Sequence, residues 1–285
     1  MSYTLGCAFV ALLCSATNDF LFKRAGRQGG VSHQLTMVLS VSMLPWVLLY
    51  AVATDGIAPS WPAAYAFVGA VSLWAGLYCF SKSLKGGAVS IAAPTFRLAF
   101  VVTALLAFLL LGEALTVLKA VGLCCAAASV WLLLAVPQGT DAEITPVGVI
   151  QVLLAMLFLG VAFFLFKLAL REGVPPTTAL VFQAVGQSLA ATVAAAFIDR
   201  RISASRPALE NGVIVGFLQA IGFAAVMEGL SRGEASILVP IIQMSFVVTA
   251  IIGLVVLKEK VTQRKVVGLA AAAGAVISLG FAAQR

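Results

Sequence analysis

The sequence predicts an all-α integral membrane protein with ten transmembrane helices, arranged as two inverted five-helix repeats. Three observations lead to this fold class: the composition, ten long apolar stretches, and an internal repeat. Of the 285 residues, 62% are hydrophobic and only 10% are charged, whereas a soluble domain carries roughly 25% charged residues. This balance, with a mean hydropathy of +1.09, excludes a soluble enzyme and a disordered chain. The net charge is +7, but the basic residues are scattered along the chain, which excludes a nucleic-acid binder.

Ten apolar stretches, bounded by Gly, Pro and charged residues, are each about as long as the ~20 residues that span a bilayer. Each stretch is apolar around its whole circumference, as expected for a helix that faces lipid. The first stretch has no basic segment before it, so we interpret it as a membrane helix and not as a removed signal peptide. The predicted helices cover residues 4–23, 32–53, 62–83, 88–111, 115–136, 147–168, 177–197, 211–230, 235–257 and 264–283.

The internal repeat is the most informative feature of the sequence. Residues 82–122 align without a gap with residues 228–268, and 16 of the 41 positions are identical. Shared apolar composition does not place Pro, Gly, Glu and Thr in register, so the two halves are copies of one unit. The identical pairs include Gly87/Gly233, Ser90/Ser236, Pro94/Pro240, Glu113/Glu259 and Thr116/Thr262.

Each unit holds five predicted helices. The first repeat covers residues 1–136, a linker covers 137–146, and the second repeat covers 147–285. Because five is an odd number, the second unit must enter the membrane from the opposite side, and a pseudo-two-fold axis then lies in the membrane plane. Inverted repeats of this kind are typical of alternating-access transporters, whose binding site lies near the midplane between the halves.

The repeated element resembles the drug/metabolite transporter superfamily, and within it the EamA-type transporters of ten helices. It consists of a Pro-containing helix, a Glu, and a short helix, and the resemblance covers nearly the whole chain. This resemblance implies a transporter of a small metabolite, and we expect it in the bacterial inner membrane. Members of the family often function as a single ten-helix unit, so the analogy favours a monomer and the oligomeric state stays open. The element reads Gly112-Glu113-Ala-Leu-Thr116 in the first repeat and Lys258-Glu259-Lys-Val-Thr262 in the second.

Arg97 lies nine residues after the start of the fourth predicted helix, which places it about 13 Å into an apolar core of ~30 Å. A charge at that depth costs about 2.5–3.5 kcal/mol on insertion scales, so it needs an explanation. One interpretation is an anion binder that lines a cavity, since a guanidinium grips a carboxylate or phosphate with two parallel hydrogen bonds. The other is a structural ion pair. Gln243 holds the matching position in the second repeat, which predicts a shared polar pocket.

Asp19 and its neighbour Asn18 lie in the first predicted helix. Asp19 precedes Lys23 by four residues, a spacing that favours a local ion pair. The functional alternative makes Asp19 a proton or cation site, or the counter-ion of Arg97. Lys167 ends the sixth helix at the position equivalent to Lys23, where it serves either as an interface anchor or as a substrate contact.

Three amides and two prolines complete the candidate substrate site. Gln183 and Gln187 share one face of the seventh helix, and Gln219 lies within the eighth. Buried amides either join helices or line a polar cavity, and both alternatives stay open. Pro94 and Pro240 each lie three residues before the polar residue of the predicted pocket, and they predict kinks that act as hinges or as static bends.

No catalytic, metal or cofactor site is expected. The single histidine, His33, and the five cysteines form no pattern of metal ligands. The chain also lacks an HExxH motif and paired membrane aspartates, which argues against an intramembrane enzyme.

We therefore expect a secondary transporter that moves a small polar metabolite across the lipid membrane, with a proton or cation as the candidate coupling ion. Both signs of charge at the pocket favour an amino acid or a related zwitterion. An organic anion or a phosphorylated metabolite is the alternative substrate, and a lipid flippase or an accessory membrane subunit is the alternative class.

Two arguments about orientation disagree. Twelve basic residues lie near the odd-numbered connections and five near the even-numbered side, which places the odd side in the cytoplasm. The family resemblance implies the reverse, with both termini in the cytoplasm.

Overall fold

The fold is known from a computed structural model that describes residues 2–28, 32–54, 56–83, 89–134, 145–199, 204–248, 251 and 262–283. Within these ranges the regular secondary structure is entirely helical. The helices are α1 (Ser2–Arg27), α2 (Ser32–Ala53), α3 (Ala63–Ser83), α4 (Val89–Arg97), α5 (Ala99–Leu110), α6 (Val117–Leu134), α7 (Pro146–Arg171), α8 (Pro176–Asp199), α9 (Arg206–Arg232), α10 (Ala235–Gln243) and α11 (Gln263–Ala282).

The described helices confirm an all-helical membrane protein. Eight helical spans in the described part of the chain are long and apolar enough to cross a bilayer, when α4 and α5 are counted together as the span Ala92–Leu110. Two shorter apolar helices, Val117–Leu133 and Ala235–Val248, correspond to the fifth and ninth predicted helices.

The fourth and ninth predicted helices are not continuous, contrary to the expectation from sequence. The fourth breaks at Leu98, and the ninth breaks at Met244, after which residues 245–248 are helical again. Pro94 and Pro240 lack a backbone N–H, but both breaks lie one turn after the proline. At each break the chain makes an i to i−3 hydrogen bond. The N–H of Met244 donates to Ile241 O at 3.1 Å, and that of Leu98 is shared between Thr95 O at 3.1 Å and Pro94 O at 3.2 Å.

Polar segments at two helix starts also differ from the sequence prediction. Helix α9 begins at Arg206 and not near residue 211, because a proline in its first turn starts the helix and Arg206 pairs with Glu210 at 2.7 Å on the exposed surface. The predicted linker 137–146 lies outside the described residues except at its end. There the Thr145 hydroxyl accepts the N–H of Gly148 at 3.1 Å and caps α7.

The helix packing is symmetric when the two halves of the chain are exchanged. Helix α3 packs on α7 and α8, and its counterpart α9 packs on α1 and α2. Helix α4 packs on α7, and its counterpart α10 packs on α1. Two large contacts join counterparts directly, α2 with α8 and α6 with α11, and α5 of the first half packs on α7 and α10 of the second. The main helix contacts therefore run between the halves and not within them.

The starts and ends of three helices define one face of the bundle, which we call the terminus face because α1 begins there. A Cβ at Gly233, after the end of α9, would lie 2.5 Å from Thr4 Cγ2 near the start of α1. Lys167, near the end of α7, donates to Gly233 O at 2.8 Å. Helix α1 thus starts at the face where α7 and α9 end.

Glycines allow these helices to approach closely, as in other membrane bundles. A Cβ at Gly216 of α9 would lie 2.0 Å from Ser42 Oγ and 2.6 Å from the carbonyl oxygen of Leu39 in α2. A Cβ at Gly160 of α7 would lie 2.7 Å from the carbonyl oxygen of Ala99 in α5. Backbone atoms cannot yield as a flexible side chain can, so these two contacts require glycine.

We predict that Gly216→Ala lowers the melting temperature of the detergent-purified protein by several degrees, because overpacking of this kind costs typically about 1–3 kcal/mol. Gly280→Ala is the matched control, since a Cβ at Gly280 meets nothing within 4 Å. Thermal unfolding of the two variants measures the difference. Equal melting temperatures would show that α2 and α9 do not depend on this close contact.

Candidate functional site

A charged cluster joins α1 to the two broken helices. Arg97, the last residue of α4, donates from Nη2 to Asp19 Oδ2 of α1. Its Nη1 donates to Ser245 Oγ at 3.0 Å. The Ser245 hydroxyl in turn donates to Asp19 Oδ2 at 3.3 Å. The three side chains form a closed triangle that brings together both repeats.

The triangle is only partly buried within the bundle. The Arg97 side chain is 18% exposed and that of Asp19 is 39% exposed, whereas Ser245 is fully buried. Pairing reduces the cost of holding a guanidinium within the span Ala92–Leu110. The exposed part of the Asp19 carboxylate leaves room for a ligand to approach the ion pair.

The repeat places Arg97 and Gln243 at equivalent ends of short helices. Arg97 ends α4 and Gln243 ends α10, and the chain breaks at the next residue in both cases. Gln243 is buried, and its Nε2 has no hydrogen-bond partner among the described residues. The position that matches Arg97 in the second repeat therefore holds a hydrogen-bond donor without a partner among the described residues, Gln243 Nε2. The chain breaks at the next residue, Met244, and Ser245 follows.

Ser245 is the site residue that sequence reasoning missed. It lies two residues after Gln243, and its counterpart in the first repeat is Ala99, so the repeat itself gave no reason to select it. Only the structure marks it, as a hydroxyl at the point where a broken membrane helix resumes. Each repeat thus supplies something different: the first a guanidinium and a carboxylate, the second a hydroxyl.

Asn18 extends the polar surface next to Asp19. Its Nδ2 donates to Gln219 Oε1 of α9 at 3.5 Å. Its Oδ1 is buried and without a partner in the described part of the chain. The structure therefore brings Asn18 and Gln219 together beside the ion pair.

Gln183 and Gln187 form a separate pair within α8. Gln183 Nε2 donates to Gln187 Oε1 at 2.6 Å, and both side chains are fully buried. Gln183 Oε1 and Gln187 Nε2 have no partner among the residues that the structure covers. The pair consequently has one acceptor and one donor to offer to a ligand or to water.

The side chain of Lys167 does not contact Asp19, Arg97 or Ser245 but binds backbone carbonyls at another place in the bundle. Its Nζ donates to Leu230 O at 2.7 Å and to Gly233 O at 2.8 Å, at the end of α9. The side chain is thereby engaged with backbone carbonyls at the terminus face, and the structure does not bring it into the Asp19 cluster. The side chains of Lys23 and His33 lie outside the described residues, and Asp19 pairs with Arg97.

The sequence profile of the EamA-like transporter family matches residues 3–135 and 146–281. The chain belongs to the EamA-like transporter family. Its members form part of the drug/metabolite transporter superfamily and are transporters and not enzymes. The resemblance expected from the repeated Pro and Glu element is confirmed.

A solved crystal structure is similar to this EamA-like protein over its whole length. The match covers 100% of this chain and 98% of the other, with a TM-score of 0.80 and 20% sequence identity. At this identity the likeness concerns the fold. No curated protein matches the chain.

The site in this EamA-like protein brings a guanidinium, a carboxylate and a hydroxyl into contact, and the amide of Asn18 precedes Asp19 in α1. Within the described part of the chain no three His, Cys, Asp or Glu side chains are grouped to hold a metal ion.

The two amides of α8 allow a test of packing in this EamA-like protein. Gln183→Met leaves the buried Gln187 amide without its partner, at a cost of about 1–3 kcal/mol, whereas Gln183→Met with Gln187→Met removes both polar groups. We predict that the double variant melts at a higher temperature than Gln183→Met alone. Thermal unfolding of the single and double variants checks this; losses that simply add would contradict the pairing.

Proposed function

We propose that this protein is a secondary active transporter that moves a small polar metabolite by alternating access, with its ten helices arranged as two inverted five-helix repeats. The observation that carries the proposal is the triangle of Asp19, Arg97 and Ser245. It joins α1 to the breaks in two equivalent helices, and broken helices between repeats are where secondary transporters bind substrate. An integral protein of the bacterial inner membrane that works as a monomer fits this proposal.

In the proposed mechanism the substrate competes with Asp19 for Arg97. A substrate carboxylate can accept two parallel hydrogen bonds from the guanidinium, one on each oxygen. In the ion pair with Asp19, by contrast, only the oxygen Oδ2 accepts a hydrogen bond from Arg97. Asp19 is then released and binds the ammonium group of the same substrate, with the free Asn18 Oδ1 as a second acceptor. This exchange favours an amino acid or a related zwitterion.

The unsatisfied amides give further contacts to the substrate. Gln243 Nε2, Gln183 Oε1 and Gln187 Nε2 are buried polar atoms that lack partners among the described residues, and a buried unpaired atom is costly. Gln219 holds Asn18 in place. We propose that Gln243 completes the anion site and that Gln183 and Gln187 line the path beyond it.

Alternation between two states follows from the symmetry of the packing. Each of the largest contacts between a helix of the first half and one of the second has an equivalent contact in which the two halves change places. A second state can therefore be built from the same kinds of helix contacts, with each repeat in the conformation that the other one has in the first state. The breaks one turn after Pro94 and Pro240 are the proposed hinges, since a turn separates two helical segments at Leu98 and at Met244. A proton on the released Asp19 is the proposed coupling ion for a substrate without an ammonium group.

We predict that Arg97→Ala abolishes substrate binding while the protein still folds. A thermal-shift screen of the purified protein with amino acids, carboxylates, sugar phosphates, nucleotide sugars and quaternary amines would identify the ligand class. A ligand at 100 times its Kd stabilises the folded state by about 2.7 kcal/mol. That ligand should have no effect on Arg97→Ala.

Arg206→Ala is the matched control, because Arg206 forms an exposed pair with Glu210 at the start of α9. It should keep the full ligand response. Normal uptake by Arg97→Ala in proteoliposomes would refute the role of Arg97. If no ligand in the screen raises the melting temperature of the unmodified protein, that result would favour a lipid substrate or an accessory role.

A separate prediction distinguishes a zwitterionic substrate from an organic anion. If Asp19 binds the substrate ammonium, Asp19→Asn weakens the affinity for an amino acid by about tenfold or more, because a charged hydrogen bond is lost. The affinity for the same carboxylate without its amino group should not fall. Calorimetric titration of the two ligands measures both values, and equal losses would favour the organic-anion alternative.

A further inference from the structure

A carboxylate from the first repeat caps a helix of the second repeat at the terminus face. Glu113 Oε1 accepts the N–H of Ala235 at 2.8 Å, and Oε2 accepts the N–H of Ser236 at 3.0 Å together with the Ser236 hydroxyl. These are the first amides of α10, where a negative charge also interacts favourably with the helix dipole. Gly112, with φ of 68°, turns the chain just before Glu113 at the end of α5.

A lysine beside this cap pairs across the same boundary. Lys119, near the start of α6, is almost completely buried and donates to Ala114 O at 2.5 Å. Its Nζ also lies 2.6 Å from Glu234 Oε2, and Glu234 is the residue that precedes α10. A buried ammonium group requires such partners, so the ion pair between Lys119 and Glu234 links the two repeats.

Two further cations from α7 bind at the same face. Lys167 donates to Leu230 O and Gly233 O, and Arg171 donates to Leu111 O at 2.6 Å at the end of α5. The turn between α9 and α10 is therefore held from two sides, by α7 and by the connection between α5 and α6.

The other end of α10 leads directly to the substrate site. The helix has nine residues, all buried, and is about 14 Å long. It begins at the Glu113 cap and ends at Gln243, and Ser245 follows after the break. A shift at the capped end therefore displaces the whole buried helix and, across the break at Met244, the serine that contacts Arg97.

We propose that Glu113, Lys119 and Glu234 form a gate that closes the terminus face and is coupled through α10 to the substrate site. We call these three residues the charged clasp. The inference rests on the alternating access proposed above, because each transport cycle must then open this face once. In the open state the clasp is broken, α10 moves, and the hydroxyl of Ser245 leaves Arg97.

The experiment measures access to the site from one side of the membrane. An Asn18→Cys background provides a thiol next to Asp19 and keeps the ion pair between Asp19 and Arg97, and a membrane-impermeant maleimide is applied to vesicles of either orientation. A protease-cleavable tag at the N-terminus identifies the terminus face. The unmodified chain gives the background labelling of its five native cysteines.

In this background we predict that Glu113→Gln increases the rate of labelling from the terminus face about tenfold, as expected for the loss of a charged hydrogen bond. Glu228→Gln is the matched control, because Glu228 lies near the same face but pairs with Arg232 of its own helix at 3.6 Å. The control should label at the rate of the background.

If Glu113→Gln does not fold, Glu234→Gln gives the second test, because Glu234 is 42% exposed and its loss removes only the partner of Lys119. Faster labelling from the terminus face supports the gate. Unchanged labelling in the folded variants, or faster labelling from the opposite face, overturns it. No substrate enters this assay, so a failure of the gate is distinguishable from a failure of the substrate assignment.

Discussion

The need to neutralise one guanidinium inside an apolar bundle determines how the two halves of this protein meet. Arg97 ends a short helix within a membrane span, and lipid offers nothing to pair with it. The chain supplies a carboxylate from α1 and a hydroxyl from the point where the ninth span resumes. For these groups to reach one guanidinium, the break at Leu98 and the break at Met244 must lie side by side. The contact between the two broken helices is thus a condition for the chain to tolerate its buried charge.

The charged side chains divide into two groups with different roles. Exposed pairs such as Arg206 with Glu210 lie four residues apart on one helix, and pairs of that kind contribute little to stability. The buried or half-buried charges instead join the two repeats, at the centre through Arg97 and at the terminus face through Glu113 and Lys119. Polar chemistry is therefore concentrated where the two halves meet, and the rest of each helix is free to face lipid.

Much of this organisation was readable from sequence because it depends on local pattern or on the repeat. Apolar length predicts the spans, and the register of Pro94 with Pro240 predicts equivalent bent helices. The location of the breaks was not predictable, because they lie one turn after each proline and not at the proline itself. Ser245 and the carbonyl partners of Lys167 were missed for a different reason. Those contacts link residues far apart in the chain, and a serine or a backbone oxygen carries no pattern that marks it as a partner.

The symmetry of the packing has a consequence for how the protein is made. The principal partner of α1 is α9, about 200 residues later in the chain, and α3 likewise packs on α7 and α8. During synthesis the helices α1 to α6 are therefore made before the surfaces that they will cover exist. Until the second half is inserted, their glycine-lined faces and the guanidinium of Arg97 lie in lipid without their native partners from that half. Insertion and folding are separate stages in this molecule, and a chain that stops after the first repeat has membrane-spanning helices but few of its native neighbours.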